Sequence, residues 1–180
     1  MSISVVELFR GAGGLTYGFE QAGLLVKAGY DIDPECRFPY EHNTGARFFL
    51  RDVQELEGAD IAEHFFGSAI TVLAGCAPCQ PFSTYSRRYD DRQSKWLLMQ
   101  EFARLVEESN PDIAFLENVL PLKFHPVFKK FTAHLARLNY FVKHYRVNCP
   151  DYGVPQSRKR LVLFASKFGE IGLFGPTHTP

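Results

Sequence analysis

Apolar residues follow two rhythms along this chain, short dense runs and longer stretches spaced at helical intervals, and the two alternate. Ser4-Val-Val-Glu-Leu-Phe9 is a β-rich run. It is followed by glycines at 11, 13 and 14 and by a helical pattern from Leu15 to Ala22, so the opening predicts strand, turn, helix. Leu24 to Tyr30 reads as a second strand, Pro34 to Asn43 as a helix with proline in its first turn, and Ala59 to Phe66 as another helix. Ala69-Ile-Thr-Val-Leu-Ala74 is almost wholly apolar, as expected of a strand buried on both faces of a parallel sheet. Trp96 to Glu108 gathers Leu97, Leu98, Phe102, Leu105 and Val106 on one helical face. A strand at Ile113–Leu116 and a helix at Val127–Leu138 come next. Strands near Phe141–Val147 and Leu161–Ala165 have no helix between them, so they are expected to pair antiparallel as an edge hairpin. The alternation predicts an α/β fold, a doubly wound and mostly parallel sheet.

Length and charge narrow the reading. At 180 residues the chain is expected to form one domain, 1–180, large enough to bury a core without disulfides or metals. Twenty Lys and Arg balance twenty Asp and Glu, which argues against a free-standing nucleic-acid binder, because phosphate binding draws on a basic excess. The longest uncharged stretch, Gly67 to Ser86, is broken by Pro78, Gln80, Pro81 and hydroxyl residues, so no membrane span is expected there. The first residues lack the basic-then-apolar order of a signal peptide, and the chain reads as cytoplasmic. In that reducing setting four cysteines make no disulfide framework, and the six histidines have no zinc-ligand spacing, so no metal site is expected.

Ligands of doubly wound sheets bind at the carboxyl ends of the strands, which directs attention to the loops after Phe9, Tyr30, Leu50, Gly75 and Leu116. Phe9-Arg-Gly-Ala-Gly-Gly14 allows close backbone approach to a ligand, although a tight turn with no ligand has the same look. Asp31, about twenty residues beyond the glycines, stands where an acid commonly meets ribose hydroxyls, with Asp33 its nearest rival. Asp52 could accept from an adenine amino group or simply cap a helix. The third glycine of a dinucleotide fingerprint and the Walker lysine are both missing, so a mononucleoside-like ligand such as S-adenosylmethionine suits better. Gly75-Cys-Ala-Pro-Cys-Gln-Pro-Phe-Ser83 is a stiff loop with a thiol at its tip, either a nucleophile platform or a redox pair of Cys76 and Cys79. Glu117 ends the following strand. Arg158, Lys159 and Arg160 lead into the last one as a solvated edge or an anion clamp.

Taken in order, Phe9-x-Gly11-x-Gly13-Gly14, Pro78-Cys79-Gln80, Glu117-Asn118-Val119 and Gln156-x-Arg158-x-Arg160 resemble the cytosine-C5 DNA methyltransferases over nearly the whole chain. The resemblance implies a Rossmann-like fold that binds S-adenosylmethionine. Phe9 and Ile32 would sandwich the adenine, Gly11 and Gly14 would shape the amino-acid end of the pocket, and Gly13 would bind the cofactor with them. Asp31 would hold the ribose, Asp52 and Val53 would meet the adenine edge, and Pro78 and Leu98 would line the same space. It further implies Cys79 as nucleophile, Glu117 at the N3 edge of the cytosine, and Arg158 and Arg160 around the substrate pocket. The substrate would be a cytosine flipped out of double-stranded DNA, in a restriction-modification setting, with the loop from Thr84 to Lys95 closing over it. Cys76 stands out as an extra thiol three residues before the nucleophile. The family continues beyond the Gln-x-Arg-x-Arg motif with a target-recognition domain and a last helix that completes the cofactor pocket. A second chain or a further segment carrying these is therefore expected, joined across an apolar face. A non-catalytic binding module and an RNA cytosine-C5 methyltransferase remain the alternatives.

Overall fold

A computed structural model describes residues 2–78 and 92–178, the side chains of residues 92–96 excepted. Cys79 and most of the expected closing loop lie outside the described residues. The strands are β1 (Ile3–Leu8), β2 (Leu25–Asp31), β3 (Arg47–Leu50), β4 (Ile70–Gly75), β5 (Ile113–Asn118), β6 (Phe141–Asn148) and β7 (Lys159–Ser166). The helices are α1 (Gly14–Gln21), α2 (Arg37–Asn43), α3 (Gly58–Ala62), α4 (Arg92–Ser109) and α5 (Pro126–Arg137). The strands form one sheet in the order β3-β2-β1-β4-β5-β7-β6. Its first five members run parallel, and β7 is antiparallel to both of its neighbours.

Side-chain alternation along the strands builds the core in two layers. Val6, Leu8, Leu73, Leu116 and Leu163 point to the face covered by Ile61 of α3, Phe102 and Leu105 of α4, and Phe128, Phe131 and Leu135 of α5. Val5, Val26, Val72, Ala74 and Phe115 point the other way, toward Leu15 and Phe19 of α1 and Tyr40 of α2. On this second face Ile113, Val162 and Phe164 are only half-buried. An aromatic row crosses it, with Phe19 edge-on to Phe115, Phe115 edge-on to Phe164, and Phe164 edge-on to Tyr145.

Local chemistry shifts several element bounds. The expected helix at 34–43 begins as a 3-10 turn, Pro34–Cys36, capped by Asp33, whose carboxylate accepts from the Glu35 N–H at 2.9 Å, and only then becomes α2. The expected helix at 59–66 is one α-helical turn followed by a 3-10 turn, Glu63–Phe65, before Gly67 at φ 77°. Helix α4 starts at Arg92, four residues before Trp96, so the end of the stretch expected to be a closing loop is helical.

At the sheet's amino end, the Asp112 carboxylate accepts from both the N–H and the hydroxyl of Thr71, at 2.9 and 2.8 Å, and the Thr71 hydroxyl in turn accepts from the Asp112 N–H. These bonds fix the register of β4 against β5. At the opposite end Gly75 therefore lies between Leu8 and Leu116.

Candidate active site

Strand β1 ends in an unusual backbone path. Phe9 takes φ 55°, a left-handed conformation that costs a non-glycine residue about 1–3 kcal/mol. Gly11 follows at φ 53° and Gly13 at φ 91°. The turn is held by Asp31 at the end of β2, whose Oδ2 accepts from the Gly11 N–H at 2.8 Å and whose Oδ1 accepts from the Asp33 N–H at 3.0 Å. Gly13 serves helix packing, because a Cβ there would lie 2.8 Å from the Tyr40 ring. Gly14 is the first residue of α1.

Beside this turn a cavity of about 330 Å³ opens at the strand ends. Its walls bring together Phe9, Gly11, Asp31, Ile32, Asp52, Val53, Pro78 and Leu98, all singled out in the sequence. They also include Asp33, the rival candidate for the ribose hydroxyls, and Cys36, Arg51 and Gln54, to which the sequence pattern assigns no place in a pocket. Three carboxylates against one exposed arginine suit a ligand rich in hydrogen-bond donors and are unfavourable for a phosphate. The volume, at the lower end of the range for small-molecule sites, matches one nucleoside-sized group. Asp52 also caps the 3-10 turn Val53–Glu55, accepting from the Gln54 N–H at 2.9 Å, so a capping role and a place on the wall coexist.

A second polar group lies beneath the glycine turn. Arg10 is 4% exposed, its guanidinium 3.2 Å from the Phe48 ring centroid and 3.8 Å from that of Tyr40. Gly29 makes room, because a Cβ there would sit 2.4 Å from both the Arg10 Cδ and the Tyr40 hydroxyl. Cation–π contact dominates here, since no guanidinium nitrogen has a hydrogen-bond partner of good geometry among the described residues. Glu7, equally buried, accepts from the Thr16 hydroxyl, and burial pushes its pKa up to about 7 against the opposing pull of Thr16 and Arg10.

A carboxyl group raised in this way stabilises the fold below its unfolded pKa of 4.5 and loses that contribution as pH rises to about 7. The loss amounts to about 3 kcal/mol, and Glu7→Gln should abolish it. Denaturant unfolding at pH 5 and pH 8 checks this: the wild type should weaken between the two while the variant stays level. An equal decline in both proteins would remove Glu7 as the cause.

The third group sits where β4 and β5 end side by side. Alternation puts Glu117 on the same face as Ile113 and Phe115, and Arg160 on the same face as Val162 and Phe164. Because Glu117 lies opposite Val162 in the antiparallel pair, Arg160 is its diagonal neighbour. The Arg160 Nε lies 2.6 Å from the Glu117 Oε1, and both side chains are about four-fifths covered. The other oxygen, Oε2, accepts from the Cys76 thiol at 2.7 Å. Next along β5, buried Asn118 donates from Nδ2 to the Ala77 carbonyl at 3.0 Å, tying to the sheet the segment that leads to Pro78 and Cys79. Arg158 is exposed in the turn before β7, with its N–H donating to the Gln156 carbonyl at 2.7 Å. Of the two arginines, Arg160 alone has an ion pair with Glu117 among the described residues.

No helix among the described residues is long and apolar enough to cross a membrane, and none of their His, Cys, Asp and Glu residues form a group of three or more suited to a metal ion.

Comparison with known proteins gives a consistent result. The family described as C-5 cytosine-specific DNA methylase matches residues 3–173. A Type II methylase of Herpetosiphon aurantiacus, M.HgiDII, is 44% identical over 180 residues, which cover 98% of this chain and 51% of the relative. The Type II methyltransferase M1.HphI of Haemophilus parahaemolyticus is 34% identical over 187 residues, covering 99% of this chain and 50% of its own length. Among solved structures, one described as a DNA modification methyltransferase encoded within a prophage of E. coli superposes with a TM-score of 0.80 at 28% identity, over 99% of this chain and 52% of its own. The chain thus spans about half the length of the relatives it matches.

Proposed function

Because the chain belongs to the C-5 cytosine-specific DNA methylase family, we propose that it is the catalytic part of a DNA (cytosine-5-)-methyltransferase. It would carry a methyl group from S-adenosylmethionine to C5 of a cytosine swung out of the duplex. The observation that carries this reading is the Glu117 carboxylate, held by Arg160 and Cys76 at the strand end beside the segment that leads into Cys79. Domain 1–180 then divides its work between two neighbouring sites, one for the cofactor and one for the base.

The strand-end cavity fits the cofactor on the chemistry of its walls. Asp31 would offer its remaining lone pairs to ribose hydroxyls, Asp52 would meet the adenine amino group, and Phe9, Ile32, Val53, Pro78 and Leu98 would supply apolar contact. Gly11 and Gly14 keep side chains away from the amino-acid end. When bound, the cofactor supplies an electrophilic methyl group on sulfur.

Cytosine C5 is a weak nucleophile, and the chain's own groups correct this. The Cys79 thiolate adds to C6, the C5–C6 π pair moves onto C5, and Glu117, held through its ion pair with Arg160, gives a proton to N3. C5, made electron-rich in this way, is the atom that would take the methyl group. A base then removes the C5 proton, the returning pair expels Cys79 as the thiolate, and N3 gives its proton back to Glu117. A stacked base cannot meet Cys79 and Glu117 together, hence the flipped geometry. Arg158, on the surface turn, is suited to contact the substrate's backbone.

A completing segment or second chain is part of the reading. Support comes from the half-buried row of Ile113, Val162, Phe164 and Tyr145 and from a net charge of zero that leaves no excess for DNA. The Type II methylases among its relatives favour a restriction-modification setting in the cytoplasm. The test is to supply labelled S-adenosylmethionine with duplex DNA or tRNA, to this chain alone and to the chain joined by its completing part. Label should enter DNA cytosine, and only in the completed enzyme. Label in tRNA would replace DNA with RNA as substrate, and no label in either would leave a binding module.

Asp31 anchors the turn as well as facing the cavity, so Asp31→Ala should weaken cofactor binding by roughly 10-fold to 100-fold, the cost of losing charged hydrogen bonds. Calorimetric titration with S-adenosylmethionine checks it. An unchanged Kd would move the ribose contact to Asp33.

A further inference from the structure

We propose that Cys76 is a positioning residue for Glu117: its thiol, with Arg160, fixes the carboxylate in the orientation that meets the base. This rests on the reading of Glu117 as the group that contacts the cytosine ring.

A carboxylate on a strand end has two soft torsions and two equivalent oxygens, and one ion pair does not fix which oxygen turns outward. Here each oxygen has its own donor. Arg160 Nε is 2.6 Å from Oε1, and the Cys76 thiol donates to Oε2 at 2.7 Å. Two donors on different oxygens define the carboxyl plane, while each oxygen keeps a second lone-pair direction for a base edge.

The donors reach Glu117 from opposite sides. Arg160 comes from β7 and Cys76 from the end of β4, where its own N–H donates to the Leu8 carbonyl of β1 at 3.4 Å. The pairing of Gly75 with Leu116, set by the Thr71–Asp112 bonds, brings the next residues, Cys76 and Glu117, level with each other. The same thiol begins the segment that leads through Ala77 and Pro78 to Cys79. Cys76 therefore links the acid to the start of that segment, up to Pro78, without itself reacting.

A thiol used as a donor can be replaced by a hydroxyl but not by a methyl group. On the complete enzyme, Cys76→Ala should lower kcat by roughly 10-fold or more while the KM for S-adenosylmethionine and the melting temperature stay unchanged. Cys76→Ser should recover kcat to within about threefold of wild type, since a hydroxyl donates in the same direction. On this chain alone, without turnover, the infrared S–H stretching band that disappears in Cys76→Ala should shift to higher frequency and sharpen in Glu117→Gln, because the single amide oxygen stays with Arg160 and the thiol loses its carboxylate acceptor.

Full activity in Cys76→Ala, equal losses in the alanine and serine variants, or a thiol band indifferent to Glu117→Gln would each overturn the proposal. Failure of the underlying reading looks different: methyl transfer would persist when Glu117 itself is replaced, whatever the thiol band does.

Discussion

Cys79→Ser should abolish methyl transfer while leaving the fold and cofactor binding nearly unchanged. The expectation rests on nucleophilicity: a serine hydroxyl is almost wholly protonated at neutral pH, whereas a thiol supplies a useful fraction of thiolate. The chain contains another thiol near the site, and the geometry indicates why it does not take over. Cys76 follows directly on the paired end of β4, and its thiol is directed at Glu117. Transfer should remain absent whether Cys76 is present or replaced. Tritium-label transfer to DNA at saturating cofactor, with calorimetry to show retained binding, makes the comparison. Undiminished transfer by the Cys79→Ser, Cys76→Ala double variant would end the covalent mechanism.

Glu117→Gln should slow transfer by roughly two to four orders of magnitude, the range associated with loss of a general acid. The substitution keeps length and planarity, and its amide oxygen still accepts from Arg160, so the fold should hold. What is lost is the transferable proton that turns C5 into an enamine-like carbon. The effect should fall on kcat with little change in DNA binding, as for an interaction that strengthens toward the transition state. Near-normal turnover on saturating DNA would reduce Glu117 to a strand-end residue held by its ion pair.

The strands were legible because buried parallel strands leave dense apolar runs, and Val5–Leu8, Val72–Ala74 and Ala114–Leu116 are buried accordingly. The hairpin of β6 and β7 was legible too, but which of its two strands joins the sheet was not. The structure inserts β7 beside β5 and leaves β6 at the edge. A physical reason is visible afterwards: β6 carries Lys143, His144 and Arg146, charges suited to an edge, whereas Leu161, Leu163 and Ala165 of β7 are fully covered. The divided helix at 34–43 escaped the periodicity because Asp33, noted as a possible ribose acid, spends its carboxylate capping the first turn.

At the site, carboxylates at strand ends could be picked out because acids there are conspicuous in sequence. Asp31, Asp52 and Glu117 all stand where loops leave the sheet, and Asp31 and Asp52 line the cavity. Their partners could not be picked out in the same way. The contact of Cys76 with Glu117 depends on the register between β4 and β5, which is set at the far end of the sheet by Thr71 and Asp112. The stacking of Arg10 on Tyr40 and Phe48 depends on the missing side chain of Gly29, a residue unremarkable within a predicted strand. Glu7 was hidden in an apolar run, and only its burial reveals a carboxyl group with a pKa of about 7.

Duplex DNA in which 5-fluorocytosine replaces the target cytosine would trap the covalent intermediate. Fluorine at C5 cannot leave as a proton does, so after methyl transfer the enzyme cannot expel its nucleophile and stays bonded to C6. The account predicts a stable protein–DNA adduct in the completed enzyme that requires S-adenosylmethionine, with peptide mapping placing the bond on Cys79. An adduct mapped to any other residue, or methylation of normal DNA with no trapped adduct on the fluorinated duplex, would contradict it.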